Sequence, residues 1–215
     1  MNAAEPSTFV LHDADIGADV ASRVGGKAVA LARMQRAGLT VPPFAMVTVD
    51  AYRAFLDAGQ LRERILFEIH RKAFADMRWE EMWDAALRIR NLFATVGMPH
   101  DLAEVLAREV DRRFAGVATA VRSSAPGEDS ATASFAGLHE SYINVRGTAA
   151  ILEHVKLVWA SLWSDGALLY RRELGLDPLQ SSMAVVIQEI VVGERSGVAF
   201  SADPADTHRA LIEAV

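Results

Sequence analysis

Hydrophobic positions in the middle of the chain recur at intervals of three and four residues, which is the repeat of a helix with one apolar face. Three successive segments share this pattern, 60–72, 80–96 and 99–114, and Gly97 and Gly116 stop the last two. A longer stripe begins at Thr148 and ends before Gly175. Because a one-sided helix needs another layer to cover, the pattern predicts several helices packed over a sheet.

Two strand-like runs flank a long segment of small residues. The runs are 117–121 and 141–145, and residues 123–137 between them are rich in Ser, Ala, Gly and Thr. Small residues let a backbone approach a ligand closely, and hydroxyl and N–H groups can bind phosphate oxygens. Arg122 adds a planar fork of donors at the start of the segment. The segment therefore predicts a polyphosphate-binding flap, with an ordinary mobile surface loop as the alternative.

A glycine turn stands before the first helix. Gly25 and Gly26 are followed by Lys27 and then by good helix formers as far as Gly38, the expected stop. This order predicts a helix that presents Lys27 near its N-terminus.

From Met183 onward, the sequence consists of short runs rich in β-branched residues that are separated by turn residues. The runs at 184–192, 196–201 and 209–215 predict an antiparallel meander whose third strand ends with the last residue. We therefore expect an α+β fold with mixed or antiparallel sheets covered by helices and with its C-terminal part truncated. Residues 1–182 are predicted as an N-terminal subdomain with the flap, and 183–215 as the incomplete start of a second, antiparallel β subdomain.

Composition excludes several functions. The chain has 215 residues, 51% hydrophobic residues, a formal net charge of −6 and no cysteine. An acidic chain lacks the electrostatic footprint of a nucleic-acid binder, and a chain without cysteine forms neither disulfides nor thiolate metal sites. No apolar stretch is long enough to span a membrane, and no signal peptide is evident. The prediction is a cytoplasmic protein without nucleic-acid or membrane partners.

Four motifs occur in a characteristic order along the chain. They are residues 24–27, residues 121–124 with Glu128 and Asp129, residues 134–137 with Glu140, and Gln188 with residues 196–201. Together they resemble the N-terminal ATP-binding domain of the phosphoenolpyruvate synthases and rifampicin phosphotransferases, with the pyruvate, phosphate dikinases as more distant relatives. The resemblance covers nearly all of the chain from about Ile16 and implies an ATP-grasp-like fold.

The resemblance also implies roles for individual residues. Lys27 and Arg122 would be catalytic phosphate clamps, and Gly137 would belong to the flap above the phosphates. The remaining ATP-binding positions would be a small hydroxyl residue and the linker that meets adenine: Ser141, Gln188, Glu189 and Val191.

Three ordinary structural roles stand against these assignments. Lys27 could be an exposed lysine at a helix start, and Arg122 could form an ion pair with Glu128 or Asp129. Gln188 and Glu189 could be polar strand residues that face water. The histidines match no phosphorylated-histidine motif and are expected to be ordinary.

In the resembling family, ATP passes its β-phosphoryl group to a histidine on a swivelling domain, and AMP and phosphate are formed. An acceptor domain then delivers the group to pyruvate or to a rifamycin-like hydroxyl. The Mg²⁺ ligands of that family would lie beyond residue 215, so this chain alone is expected to be inactive and to bind ATP weakly. The alternative is a stand-alone nucleotide- or partner-binding module, which the coding sequence downstream of Val215 would distinguish.

Overall fold

A five-stranded antiparallel sheet forms the centre of the protein. The computed structural model describes residues 9–126, 129–130, 133–134, 137–203, 205–206 and 208–214. The helices and strands within these ranges are, in chain order, β1 (Val10–His12), α1 (Ala21–Arg36), β2 (Phe44–Val47), α2 (Val49–Ala58), α3 (Leu61–Ile69), α4 (Trp79–Thr95), α5 (His100–Phe114), β3 (Thr119–Ser124), β4 (Asp129–Ser130), β5 (Ala133–Ser134), β6 (Ser141–Val145), α6 (Thr148–Ser161), α7 (Asp165–Glu173), β7 (Ala184–Glu189), β8 (Gly197–Phe200) and β9 (Leu211–Ala214).

The strand order in the central sheet is β1-β2-β7-β3-β6. Each neighbouring pair in this sheet is antiparallel. Two smaller ladders join β4 to β5 and β8 to β9. Strand β7 therefore lies at the middle of the sheet, although it comes after both of its neighbours in the chain.

The sheet separates two hydrophobic cores. Val185 and Ile187 of β7 pack with the larger core, which is built from helices α2 to α7. Their neighbour Val186 faces the other way and packs with Met46 and with Ala28 of α1. Both faces of β7 are therefore covered, which explains why its residues form a continuous apolar run instead of alternating with polar residues.

Aromatic side chains fill the centre of the larger core. The rings of Phe55 and Trp159 lie 5.2 Å apart between centroids, and those of Tyr52 and Trp159 lie 5.9 Å apart. The indole N–H of Trp163 donates a hydrogen bond of 3.1 Å to the Tyr52 hydroxyl. Burial raises the pKa of this hydroxyl, so Tyr52 stays neutral.

The structure confirms the predicted α+β class and the helices over the sheet. The predicted meander from Met183 is wrong in one respect. Strand β7 pairs with β2 and β3, whereas β8 and β9 pair with each other. Residues 184–187 are almost completely buried, which suits the middle of a covered sheet better than a peripheral hairpin. The division into two subdomains at residue 183 and the ATP-grasp-like label stay predictions.

None of the helices in the described ranges is both long enough and apolar enough to cross a lipid bilayer.

The Tyr52–Trp163 hydrogen bond gives a test of the core. Substituting Tyr52→Phe should lower the free energy of unfolding by about 1–2 kcal/mol, because the indole N–H would lose its partner inside the core. Urea denaturation would measure the change. In a double-mutant cycle, Trp163→Phe should cost less in the Tyr52→Phe background than alone. Strictly additive effects would contradict the hydrogen bond.

Candidate functional site

Side chains of three strands gather on the face of the sheet that α1 covers. Arg122 of β3 lies opposite Val186 of β7 on one side and opposite Ser141 of β6 on the other. Gln188 lies two residues further along β7, and its side-chain oxygen accepts a hydrogen bond of 3.4 Å from the Arg122 guanidinium. Directly paired residues and every second residue share a face, so the structure brings Arg122, Ser141 and Gln188 together.

Helix α1 is broken at Gly25, where it meets β3. Gly25 has φ 76° and ψ 172°, outside the helical region, and the chain turns helical again after it. A Cβ atom at this position would lie 2.2 Å from the carbonyl oxygen of Ser124, far inside van der Waals contact. The Ser124 hydroxyl donates to the carbonyl of Val24 at 2.7 Å and accepts from the N–H of Ala28 at 3.4 Å. The start of the helix is thus fastened to the end of β3.

This arrangement positions Lys27. It is the second residue after the break, so it belongs to the first turn, where backbone N–H groups point out of the helix and favour anions. Its charge also acts on His139, which lies at the C-terminal end of the flap. Lys27 therefore lies in the first turn of the restarted helix, near enough to His139 for its charge to contribute to the lowered pKa of that imidazole.

Positive charge and burial keep His139 neutral. Burial, followed by the charge of Arg171 and then that of Lys27, lowers the pKa of His139 to about 4, while a hydrogen bond with the backbone of Ser161 opposes the shift. Arg171 is itself buried and donates to the carbonyl of Leu162 at 2.7 Å. Burial lowers the pKa of Arg171 to about 10, so it remains charged at neutral pH. The region is electropositive.

The flap returns to the sheet through an anchored segment. Gly137 is exposed and has φ 77°, a conformation that suits glycine. Three residues later, Glu140 forms an ion pair of 3.0 Å with Arg90 of α4 and accepts a hydrogen bond from the Tyr142 hydroxyl. The flap residues 127–128, 131–132 and 135–136 lie outside the described residues, and so does the alternative pairing of Arg122 with Glu128.

The end of β7 presents one side chain and a stretch of backbone. Gln188 is only 7% exposed. The alternative interpretation, in which Gln188 is a polar strand residue that faces water, is therefore wrong. Glu189 lies on the other face, opposite Thr119, and its N–H donates to the carbonyl of Pro43 at 2.9 Å. Val191 follows the strand and is 69% exposed. Gln188 is thus buried beside Arg122, whereas Val191 is open to solvent.

Within the described ranges, no group of three or more His, Asp or Glu side chains could hold a metal ion.

Comparison with known proteins identifies the family. The family described as "Pyruvate phosphate dikinase, AMP/ATP-binding domain" matches residues 21–215. The chain belongs to this family. The match includes the glycine turn, the end of β3, the flap and β7, so the elements that form the site are also the elements of an AMP/ATP-binding domain.

Curated relatives of this AMP/ATP-binding domain fall into two groups of phosphotransferases. The rifampicin phosphotransferase of Streptomyces sviceus is 38% identical over 204 residues, which cover 94% of the chain and 23% of that protein. The phosphoenolpyruvate synthase of Aeropyrum pernix is 38% identical over 208 residues, which cover 94% of the chain and 25% of that protein. The rifampicin phosphotransferase of Bacillus subtilis is 32% identical over 207 residues. The chain spans about a quarter of the length of these relatives.

Two features of the AMP/ATP-binding domain were missed in the sequence. Ser124 belongs to a recognised motif, but nothing in the local pattern indicated its contact with α1, which is 100 residues away in the chain. His139 was expected to be ordinary, but burial and then the charges of Arg171 and Lys27, which lie on two helices distant in sequence, lower its pKa to about 4. The roles of Lys27 and Arg122 as cations that bind phosphate stay predictions.

The contact between Gly25 and Ser124 can be tested by a pair of matched substitutions. Gly25→Ala and Gly38→Ala both place a side chain at positive φ, 76° and 81° respectively, but an added Cβ meets no atom within 4 Å at residue 38. Gly38→Ala should cost about 1–2 kcal/mol from the backbone alone. Gly25→Ala should cost clearly more, because ψ 172° puts this residue in a backbone region almost confined to glycine and because the added Cβ would also force α1 away from β3. Equal midpoints of urea unfolding for the two variants would contradict the close contact.

The state of His139 predicts a pH dependence of stability. Its folded pKa of about 4 lies below the ordinary value of 6.5, so between these values the unfolded chain binds more protons than the folded one. The stability contributed by the neutral imidazole should be complete above about pH 6.5 and should decline as the pH falls towards 4. Denaturation at several pH values should show a smaller decline for His139→Gln. An imidazole that titrates near 6.5 by NMR would contradict the burial argument.

Proposed function

We propose that this AMP/ATP-binding domain binds ATP on the α1 face of the sheet, as the nucleotide-binding part of a dikinase-type phosphotransferase. One observation carries the proposal: the first turn of α1, with Lys27, is hydrogen-bonded to the end of β3 two residues from Arg122. The helix turn that carries Lys27 is thereby fastened to the strand that carries Arg122, and Arg122 in turn donates a hydrogen bond to Gln188. The family match and the two groups of relatives support ATP as the ligand.

The charges and the sheet register indicate which residues would bind the phosphates of ATP and which would bind its adenine. Lys27 and Arg122 would hold the phosphates and offset the negative charge that develops during transfer. The flap through Gly137 would cover the phosphates and exclude water, with Ser141 beside Arg122. Gln188 and the backbone from Glu189 to Val191 would meet the adenine.

The whole reaction extends beyond these residues. In our proposal, a histidine of a swivelling domain takes the β-phosphoryl group of ATP, AMP leaves, and water takes up the γ-phosphoryl group as inorganic phosphate. The phosphohistidine then transfers its phosphoryl group to pyruvate or to a rifamycin-like hydroxyl at an acceptor domain. One relative is named for rifampicin and another for phosphoenolpyruvate, each at 38% identity, and the two names support this pair of acceptors.

An NMR titration with ATP tests the proposal even if binding is only millimolar. Lys27→Met and Arg122→Met should each weaken ATP binding about tenfold or more, since each removes a charged hydrogen bond worth about 1.5–3 kcal/mol. Lys72→Met is the matched control, because Lys72 pairs with Glu81 on the surface between α3 and α4. It should leave ATP affinity unchanged.

A second readout comes from His139. Phosphates bound beside Lys27 should offset its charge and therefore raise the pKa of the His139 imidazole, which the same NMR samples report. An unchanged His139 resonance, together with chemical shift changes confined to another surface, would rule out the proposed site.

A further inference from the structure

Helix α1 lacks a capping side chain of its own where it restarts. Gly25 occupies the position before the first helical residue of the restarted helix, and glycine has no side chain to accept the N–H groups of the first turn. The hydroxyl of Ser124 takes this place from another strand, since it accepts from Ala28, the third residue of that turn. It also donates to the carbonyl of Val24, on the other side of the break.

The bridge is buried and sterically constrained. Ser124 is completely buried, as are Val24 and Ala28. Gly25 touches its backbone so closely that a Cβ atom would collide with the Ser124 carbonyl carbon and oxygen, at 2.6 and 2.2 Å. Two hydrogen bonds and one backbone contact thus join the helix to the strand at a single residue. Such a junction allows little sliding or rotation of the first helical turn against β3.

The residues on either side of this junction are those proposed to bind phosphate. Lys27 immediately precedes Ala28, and Arg122 lies two residues before Ser124 on the same face of β3. Ser124 is also the last residue of β3, at the point where the flap begins. A change at Ser124 would therefore alter the distance between the two cations.

We propose that Ser124 is a positioning residue. Its hydroxyl caps α1 from outside the helix and thereby sets the distance between Lys27 and Arg122 that lets the two cations bind one polyphosphate. This inference rests on the proposed ATP site. Ser124 itself need not touch the nucleotide, because its hydroxyl already bonds to Val24 and Ala28.

The test compares two adjacent serines. Ser124→Ala removes the cap, whereas Ser123→Ala removes a hydroxyl that is similarly buried but lies on the opposite face of β3. In an NMR titration, Ser124→Ala should weaken ATP binding about fivefold, since losing a helix cap costs about 1 kcal/mol. AMP binding should change less than twofold, because AMP lacks the phosphates that two spaced cations would share. Ser123→Ala should leave both affinities unchanged.

Amide hydrogen exchange supplies a local readout. Exchange at the Ala28 N–H should become faster in Ser124→Ala and stay unchanged in Ser123→Ala. If Ser124→Ala does not fold, Ser124→Cys keeps a side chain of similar shape with weaker hydrogen bonds and should show a smaller loss of ATP binding with the same selectivity over AMP.

The outcomes separate this inference from the proposed function. If the unmodified chain does not bind ATP at the α1 face, the proposed function fails. If the unmodified chain binds ATP there and Ser124→Ala loses ATP and AMP affinity equally, or loses neither, the positioning role is wrong and the ATP site stands.

Discussion

Side-chain alternation along β3 and β7 is the constraint on which the rest of the structure depends. Strand β7 is covered on both faces, and β3 packs Val121 into the larger aromatic core while Ser124 meets α1, so alternate residues belong to the aromatic core or to the α1 face. A shift of the register by one residue would move Arg122 and Gln188 into the aromatic core, where a guanidinium without its partners is costly. Hydrophobic packing on the two faces thereby determines which polar groups stand beside α1.

The helix cap from β3 shows why small residues gather at this junction. Gly25 is needed twice, for its positive φ and for its closeness to Ser124. Without a Cβ it cannot cap the helix, and the hydroxyl of Ser124 compensates for that loss. An ordinary cap within α1 would be simpler, but it would not connect the helix to the strand. The arrangement makes the first turn of α1 less stable by itself, but it fixes the position of that turn relative to β3.

Local pattern was sufficient for the parts of the fold that depend on neighbours in sequence. The three-and-four spacing located α4 and α5 to within a residue or two, and Gly38 ended α1 as predicted. The position of β7 in the sheet could not be predicted from local pattern, because β7 pairs with residues that are 60 or more positions earlier in the chain. The motif around Arg122 indicated phosphate chemistry from its local composition. The contact of Ser124 with α1 could not be predicted in this way, because its partners are about 100 residues away in the chain.

The electropositive site lies in a chain whose net charge is −6. These facts are compatible, because at physiological salt charges are screened over about 8 Å and the local arrangement dominates. Lys27 and Arg171 both disfavour a charged His139, and burial keeps that imidazole neutral, which avoids adding another positive charge there. An anion bound beside Lys27 would relieve the remaining repulsion. Binding of a polyphosphate would then stabilise the fold as well as occupy the site, because a ligand that binds only the folded state shifts the folding equilibrium towards it.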